Sequence, residues 1–127
     1  MANVTQDITA TVDIYISMWN EADAARRARQ IEQTWVEGGL YMDPLHEDEG
    51  YDGLSEMVEA LHAVYPGYRF RRSIGIESHH HSVRFGWEFL RPDGSLHVGG
   101  SDIGTVAPDG RLHSIVGFFG DPPALES

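Results

Sequence analysis

Residues 96–119, LHVGGSDIGTVAPDGRLHSIVGFF, decide how this chain folds. They read as two long strands joined at Pro108-Asp109-Gly110. Val, Ile and Phe occupy both arms, and the glycine supplies the positive φ of a tight hairpin loop. Asp102 sits in the middle of the first arm, behind Gly99-Gly100 and ahead of Ile103-Gly104. A carboxyl group there needs a partner or a displaced pKa, because an unpaired buried charge is costly. The rest of the chain reads as walls around that position.

Working back towards the N-terminus, the hydrophobic period is two from Tyr68 onward. Tyr68, Phe70, Arg72, Ile74 and Ile76 alternate with polar or small residues, and a turn falls near residues 78–80. A second arm, residues 81–91, alternates Val83, Phe85, Trp87 and Phe89 against Ser82, Arg84, Gly86 and Glu88. Pro92-Asp93-Gly94 is the next hairpin loop. A three-residue loop there sets Arg84 opposite Asp102, close enough for an ion pair that lowers the carboxyl pKa. A bulge or a four-residue loop sets Phe85 opposite instead.

The N-terminal half reads as helical. Ile8, Val12, Tyr15 and Trp19 share one face of a helix over about residues 4–20. Asp23 is an N-cap for a second helix over about 24–36, which buries Ala24, Ala28, Ile31 and Trp35 and presents Arg26, Arg27 and Arg29 outward. Gly38-Gly39 ends it. A short strand, Leu40-Tyr41-Met42, stops at Asp43-Pro44 because proline cannot donate to a ladder. Residues 46–50 are polar and turn-like and lie at a rim. A third helix, about 53–64, has Leu54, Met57, Val58 and Leu61 on one face and is closed by Pro66-Gly67. The order is αα-β-α-ββββ, an α+β fold in which a curved sheet closes over three helices as a cone. Aromatic residues on both sheet faces predict that the outer face is covered too, most simply by a second copy in a homodimer.

At 127 residues the chain makes one domain, 1–127. There is no cysteine, which excludes disulfides, thiolate catalysis and cysteine-ligated zinc. The N-terminus has neither a basic leader nor a long apolar run, so the expected location is cytoplasmic. Nine basic against 20 acidic residues give a net charge of −11, which opposes nucleic-acid and anionic-membrane partners.

The motifs YISMWNEAD, GLYMDPL, PGYRF, VRFGWEF and GGSDIGTVAPDGRLHSIVGFF, with their spacing, resemble the nuclear-transport-factor-2-like superfamily. Within it the chain is similar to SnoaL-like (polyketide cyclase-like) and ketosteroid isomerase-like proteins, from Ile8 to Phe119. The resemblance implies a cystatin-like cone and cofactor-independent chemistry or binding. That superfamily includes isomerases, cyclases, epoxide hydrolases, dehydratases and non-enzymatic binders. From the isomerases it implies Tyr15 and a protonated Asp102 as donors to an enolate oxygen, with Asp43 as general base.

Each residue also has a plainer reading: Tyr15 as a core tyrosine, Asp43 as a turn former, Asp102 as half of an ion pair with Arg84. Trp19, Trp35, Tyr41, Trp87 and Phe118 are expected to wall a pocket for a small apolar molecule, with Arg84 and His81 as polar contacts. His79 and His81 share a strand face but lack a third ligand, so no metal site is expected. His46 near Asp43 is a rim candidate for a base. His62, His97 and His113 read as surface or half-buried. Three functions follow: isomerase, cyclase or lyase chemistry on an apolar carbonyl compound, binding of such a compound without chemistry, or a dimerisation module.

Overall fold

The computed structural model describes residues 7–125. Asp7 opens helix α1 (Ile8–Trp19) by accepting the Thr9 amide at 3.0 Å, satisfying one of the donors a helix start leaves free. The expected beginning at residue 4 lies outside the described residues. Along α1, Val12, Tyr15, Ile16 and Trp19 turn into the core. Asp23 caps α2 (Ala24–Thr34) through the Arg26 amide at 2.8 Å.

Helix α2 departs from its sequence reading at both the buried face and the C-terminus. Its buried row is Arg27, Ile31 and Thr34, while Ala24 and Ala28 are exposed. Arg27, expected outward, is 1% exposed. Its Nε donates to Ser55 Oγ at 3.1 Å, one terminal nitrogen donates to the Glu21 carbonyl at 2.6 Å, and the other pairs with Glu59. A guanidinium can be buried only where several acceptors converge on its planar fork, and here they tie α2 to α3 (Gly50–Val64). Trp35 is not helical. The chain turns extended there to begin β1 (Trp35–Met42), as Thr34-Trp35-Val36 favours. Gly38-Gly39 therefore caps nothing and instead carries an irregularity in β1. A Cβ on Gly39 would lie 2.3 Å from the Trp35 ring.

Strands β2 (Glu47–Glu49), β3 (Arg69–Arg72), β4 (Glu77–His79), β5 (Ser82–Leu90), β6 (Leu96–Val106) and β7 (Leu112–Phe119) complete a seven-stranded sheet in the order β2-β1-β7-β6-β5-β3, with β4 also on β5. β1 and β7 are parallel and the other pairs antiparallel. Residues 47–49, read as turn, form an edge strand. The first arm of the meander is broken into β3 and β4 where the chain crosses over Gly86. Ser73 N donates to Gly86 O at 3.0 Å, and a Cβ on Gly86 would meet the Ser73 and Ile74 side chains at 2.7 and 2.8 Å.

The β5–β6 register settles which side Asp102 faces. Leu90 pairs with Leu96 but Phe89 pairs with Val98, so His97 is an extra residue on β6. A one-residue bulge exchanges the two faces of everything beyond it. Phe85, Asp102 and Gly117 consequently form one row across β5, β6 and β7, and Arg84, Ile103 and Val116 form the next. Phe85 and Asp102 are buried towards the helices, while Arg84 and Ile103 are exposed on the outer face.

Together the helices and the mixed sheet make an α+β cone whose core holds Tyr15, Trp19, Trp35, Phe85, Trp87 and Ile115. On the outer face Ile74, Arg84, Ile103 and Phe118 border a hollow of about 680 Å³. None of the described helices is long and apolar enough to cross a membrane.

Candidate active site

Inside the cone, α1 and β6 bring Tyr15 and Asp102 to the lining of a small chamber of about 40 Å³, shared with Trp19, Tyr41 and Trp87. Tyr15 is 1% exposed and its hydroxyl has no hydrogen-bond partner. Burial, and then the Asp102 charge, hold its pKa well above the tyrosine range. The Trp19 side chain pulls the other way without forming a bond of acceptable geometry, and the Asp43 charge adds to the rise. Tyr15 therefore presents a neutral O–H.

Asp102 is 4% exposed, and its Oδ1 accepts the Trp87 Nε1–H at 3.0 Å. Burial pushes its pKa up to about 7. The Trp87 bond pulls it back and the Asp43 charge adds to the rise. Gly117 makes room for it: a Cβ there would lie 2.8 Å from Asp102 Oδ1 and 3.5 Å from Asp43 Cβ. Two carboxyl side chains thus flank one missing side chain.

Asp43, just past the end of β1, holds the turn at Pro44. Its Oδ1 accepts the Leu45 amide at 2.8 Å and the His46 amide at 2.9 Å, with His46 Nδ1 at 3.2 Å. Its Oδ2 accepts the Tyr41 hydroxyl at 2.7 Å. Tyr41 is driven far above the tyrosine range by burial and by neighbouring Tyr15, Asp102 and Asp43, so it stays a donor. The Asp43 side chain is only 7% exposed, yet it lines the next space outward.

That space is a cavity of about 820 Å³, within the range of small-molecule sites. Its walls include Trp19, Leu61, Phe70, Trp87, Phe89 and Val98. The rings interlock: Phe70 stacks on Phe89 with centroids 4.2 Å apart and meets Trp87 edge-on at 5.6 Å. Leu45, His46 and Val64 are exposed around its opening.

Of the residues singled out from sequence, Tyr15, Trp19, Tyr41, Asp43, Trp87 and Asp102 come together here. Four do not. Trp35 is buried behind Tyr15, ring centroids 5.9 Å apart, with its indole N–H unpartnered. Arg84 pairs with Glu77 at 2.6 Å on the outer face, so the Arg84–Asp102 pair does not form; the bulge at His97 is the cause. Phe118 is 53% exposed on that same face, and Phe119 lines the cavity in its stead. His81 lies exposed in the β4–β5 turn. Phe70, Phe89, His97 and Phe119 also line the cavity and were not picked from sequence. The alternation in β3 and β5 carried the first two; His97 and Phe119 depended on bulge and parity. His79 and His80 approach through their Nδ1 atoms at 3.1 Å. Among the described residues no three His, Asp or Glu side chains are grouped to hold a metal ion.

No family model and no curated protein matches the chain. Solved structures do. An NTF2-like protein from Exiguobacterium sp. 255-15 is 16% identical, with 88% of this chain and 99% of that one covered and a TM-score of 0.69. A cystatin-like fold protein from Methylobium petroleophilum PM1 is 14% identical over 92% of this chain and 78% of that one, at a TM-score of 0.72. These two share the fold. A candidate isomerase of the SnoaL-like family from Agrobacterium tumefaciens strain C58 is 35% identical, with 89% of this chain and 97% of that one covered and a TM-score of 0.84. Identity of that level over nearly the whole of both chains, on the same cone of helices and sheet, shows that this chain belongs to the SnoaL-like family.

Proposed function

We propose that the cavity binds a small apolar carbonyl compound and moves a proton at the carbon next to its carbonyl, as an isomerase, cyclase or lyase without a cofactor does. The observation that carries this is a pair of groups. The unpartnered Tyr15 hydroxyl and the protonatable Asp102 line one small chamber beside an apolar cavity. A carbonyl oxygen seated there accepts from both. Asp43 takes the proton from carbon, the electron pair moves onto the oxygen, and the two donors stabilise the enolate. Of the Asp43 oxygens, Oδ1 already accepts two backbone amides and faces His46 Nδ1, while Oδ2 accepts only the Tyr41 hydroxyl. Oδ2 is therefore the oxygen with capacity for a proton, which it returns to the substrate carbon or exchanges with solvent.

The test is exchange of the α-protons of 2-tetralone in heavy water, followed by NMR. The native protein accelerates exchange, Asp43→Asn abolishes the acceleration, and Tyr15→Phe cuts it by roughly 10²-fold, the usual scale for one oxyanion donor. No acceleration with any of a panel of apolar ketones overturns the reaction.

A second reading, binding without chemistry, has its own support. Asp43 is so fully engaged by Tyr41, Leu45 and His46 that it serves equally as the anchor of the Pro44 turn. That reading expects thermal stabilisation by ketones to survive Asp43→Asn.

A further inference from the structure

The chamber and the cavity share a wall. Trp19, Tyr41, Phe70, Trp87 and Phe119 line both, whereas of the two spaces Tyr15, Ile16 and Asp102 line only the chamber and Asp43 only the cavity. The shared rings brace one another. Centroids lie 5.4 Å apart for Trp19 and Tyr41, 5.7 Å for Trp19 and Phe70, 5.6 Å for Phe70 and Trp87, and 6.0 Å for Trp87 and Phe119. Trp87 is also held from behind. A Cβ on Gly100 would lie 2.4 Å from its indole, so the ring rests on the backbone of β6 while its N–H is fixed on Asp102. Rings packed this closely do not part for a bulky group without straining their neighbours.

The chamber is small. Its volume of about 40 Å³ takes about one to three non-hydrogen atoms, since a single water needs roughly 10–15 Å³. Its buried, unpartnered Tyr15 hydroxyl calls for a ligand oxygen. Among the described residues no arginine or histidine lines it, and the chain has no lysine, so an anionic oxygen finds no counter-charge there. From this geometry, and resting on the reading proposed above, we infer that the natural substrate is a neutral ketone whose carbonyl projects from an unbranched edge of a larger apolar body, and that Ile16 sets this limit. Only the carbonyl group enters the chamber. The α-carbon stays on the cavity side of the shared wall, where Asp43 is, and the body fills the cavity. A ketone branched beside its carbonyl meets the rings of the shared wall before its oxygen reaches Tyr15. Ile16 is the one apolar side chain that lines the chamber without also lining the cavity, so its bulk fixes how much the chamber admits.

Two ketones test this, 2-tetralone and 1,1-dimethyl-2-tetralone. Both have exchangeable protons at C3 and differ only in the two methyl groups on the other side of the carbonyl. Exchange at C3 in heavy water is followed by NMR, and each rate is divided by that ketone's own buffer-catalysed rate. The native protein should accelerate 2-tetralone roughly 10²-fold more than the dimethyl ketone, the scale of a reacting group displaced by about 1 Å. Ile16→Ala should narrow that gap roughly tenfold, the scale on which an apolar pocket discriminates by a methylene group. Ile16→Val, a milder core change that keeps the fold should the alanine variant lose it, should narrow the gap by a smaller factor. Equal or greater acceleration of the dimethyl ketone by the native protein overturns the inference and leaves the proposed function standing. A gap that neither variant narrows does the same. Acceleration of neither ketone overturns the inference, and with no other ketone accelerated it overturns the proposed function as well.

Discussion

Asp102 accepts the Trp87 indole N–H at 3.0 Å, and this is the bond that holds a buried carboxyl group against the sheet. Its folded pKa, raised by burial from 3.8 to about 7, fixes a direction for stability against pH. A raised acid binds its proton more tightly folded than unfolded. The resulting stability is fully present below about pH 4, declines as pH rises, and is gone above about pH 7. The span is up to about 4 kcal/mol. Denaturant unfolding from pH 4 to 8 should show this decline, and Asp102→Asn should flatten it while raising stability at pH 8. An unchanged slope in the variant excludes Asp102 as the source.

Tyr15 has a hydroxyl that contributes no hydrogen bond to the fold. Removing an unsatisfied buried polar atom is neutral or stabilising. Tyr15→Phe should therefore hold or raise the melting temperature while weakening ketone binding by roughly tenfold, about one hydrogen bond. A fall in stability together with unchanged affinity would assign Tyr15 to the core alone.

At Gly117 a single methyl group should be enough to disturb both carboxyl groups. A Cβ placed 2.8 Å from Asp102 Oδ1 forces that side chain aside. Gly117→Ala is expected to cost about 1–3 kcal/mol, the scale of overpacking. It should also shift the Trp87 indole N–H resonance, which reports the bond to Asp102. A variant with native stability and an unmoved indole signal contradicts the close approach.

Arg27 and Arg29 are two residues apart and should behave oppositely. Arg27→Met loses donors to Ser55, the Glu21 carbonyl and Glu59. It should lower stability by about 2–3 kcal/mol, less than a fully buried pair because the Glu59 side chain is largely exposed. Arg29→Ala, on an exposed position, should change stability by under about 0.5 kcal/mol.

The second copy expected from the sequence would cover the outer sheet face, where Ile103 and Phe118 are exposed. Phe118→Glu should then convert a dimeric native protein to a monomer in light scattering. A native chain that is monomeric at high concentration removes that expectation.

Much of the architecture could be read directly from residue patterns. Period-two alternation marked β5 through Val83, Phe85, Trp87 and Phe89, and Pro-Asp-Gly steps marked two hairpins. Asp23 marked the start of α2. What escaped were features set by tertiary contacts. Arg27 is polar by composition and buried by geometry, because Glu21, Ser55 and Glu59 supply acceptors that no local window reveals. Trp35 sits where helical spacing and extended propensity disagree, and packing on Tyr15 decides for the strand. Arg84 was paired with Asp102 by counting back from a loop, and that count missed one residue. Phe118 was taken for Phe119 because the two are adjacent and of one type, and only the register tells them apart.

The extra residue at His97 has an evolutionary side. In a strand whose two faces serve different purposes, residue number modulo two carries the assignment of interior and exterior. Removing one codon between the Pro92 loop and Val98 would turn Asp102 outward and bring Ser101 and Ile103 in, without altering Tyr15, Asp43 or Asp102 itself. Removing or adding two would restore the original sides. Length changes in this hairpin should therefore accumulate in even steps wherever the inward Asp102 is kept. An odd step would mark the descent of a relative that has kept the cone and lost the inward carboxyl group.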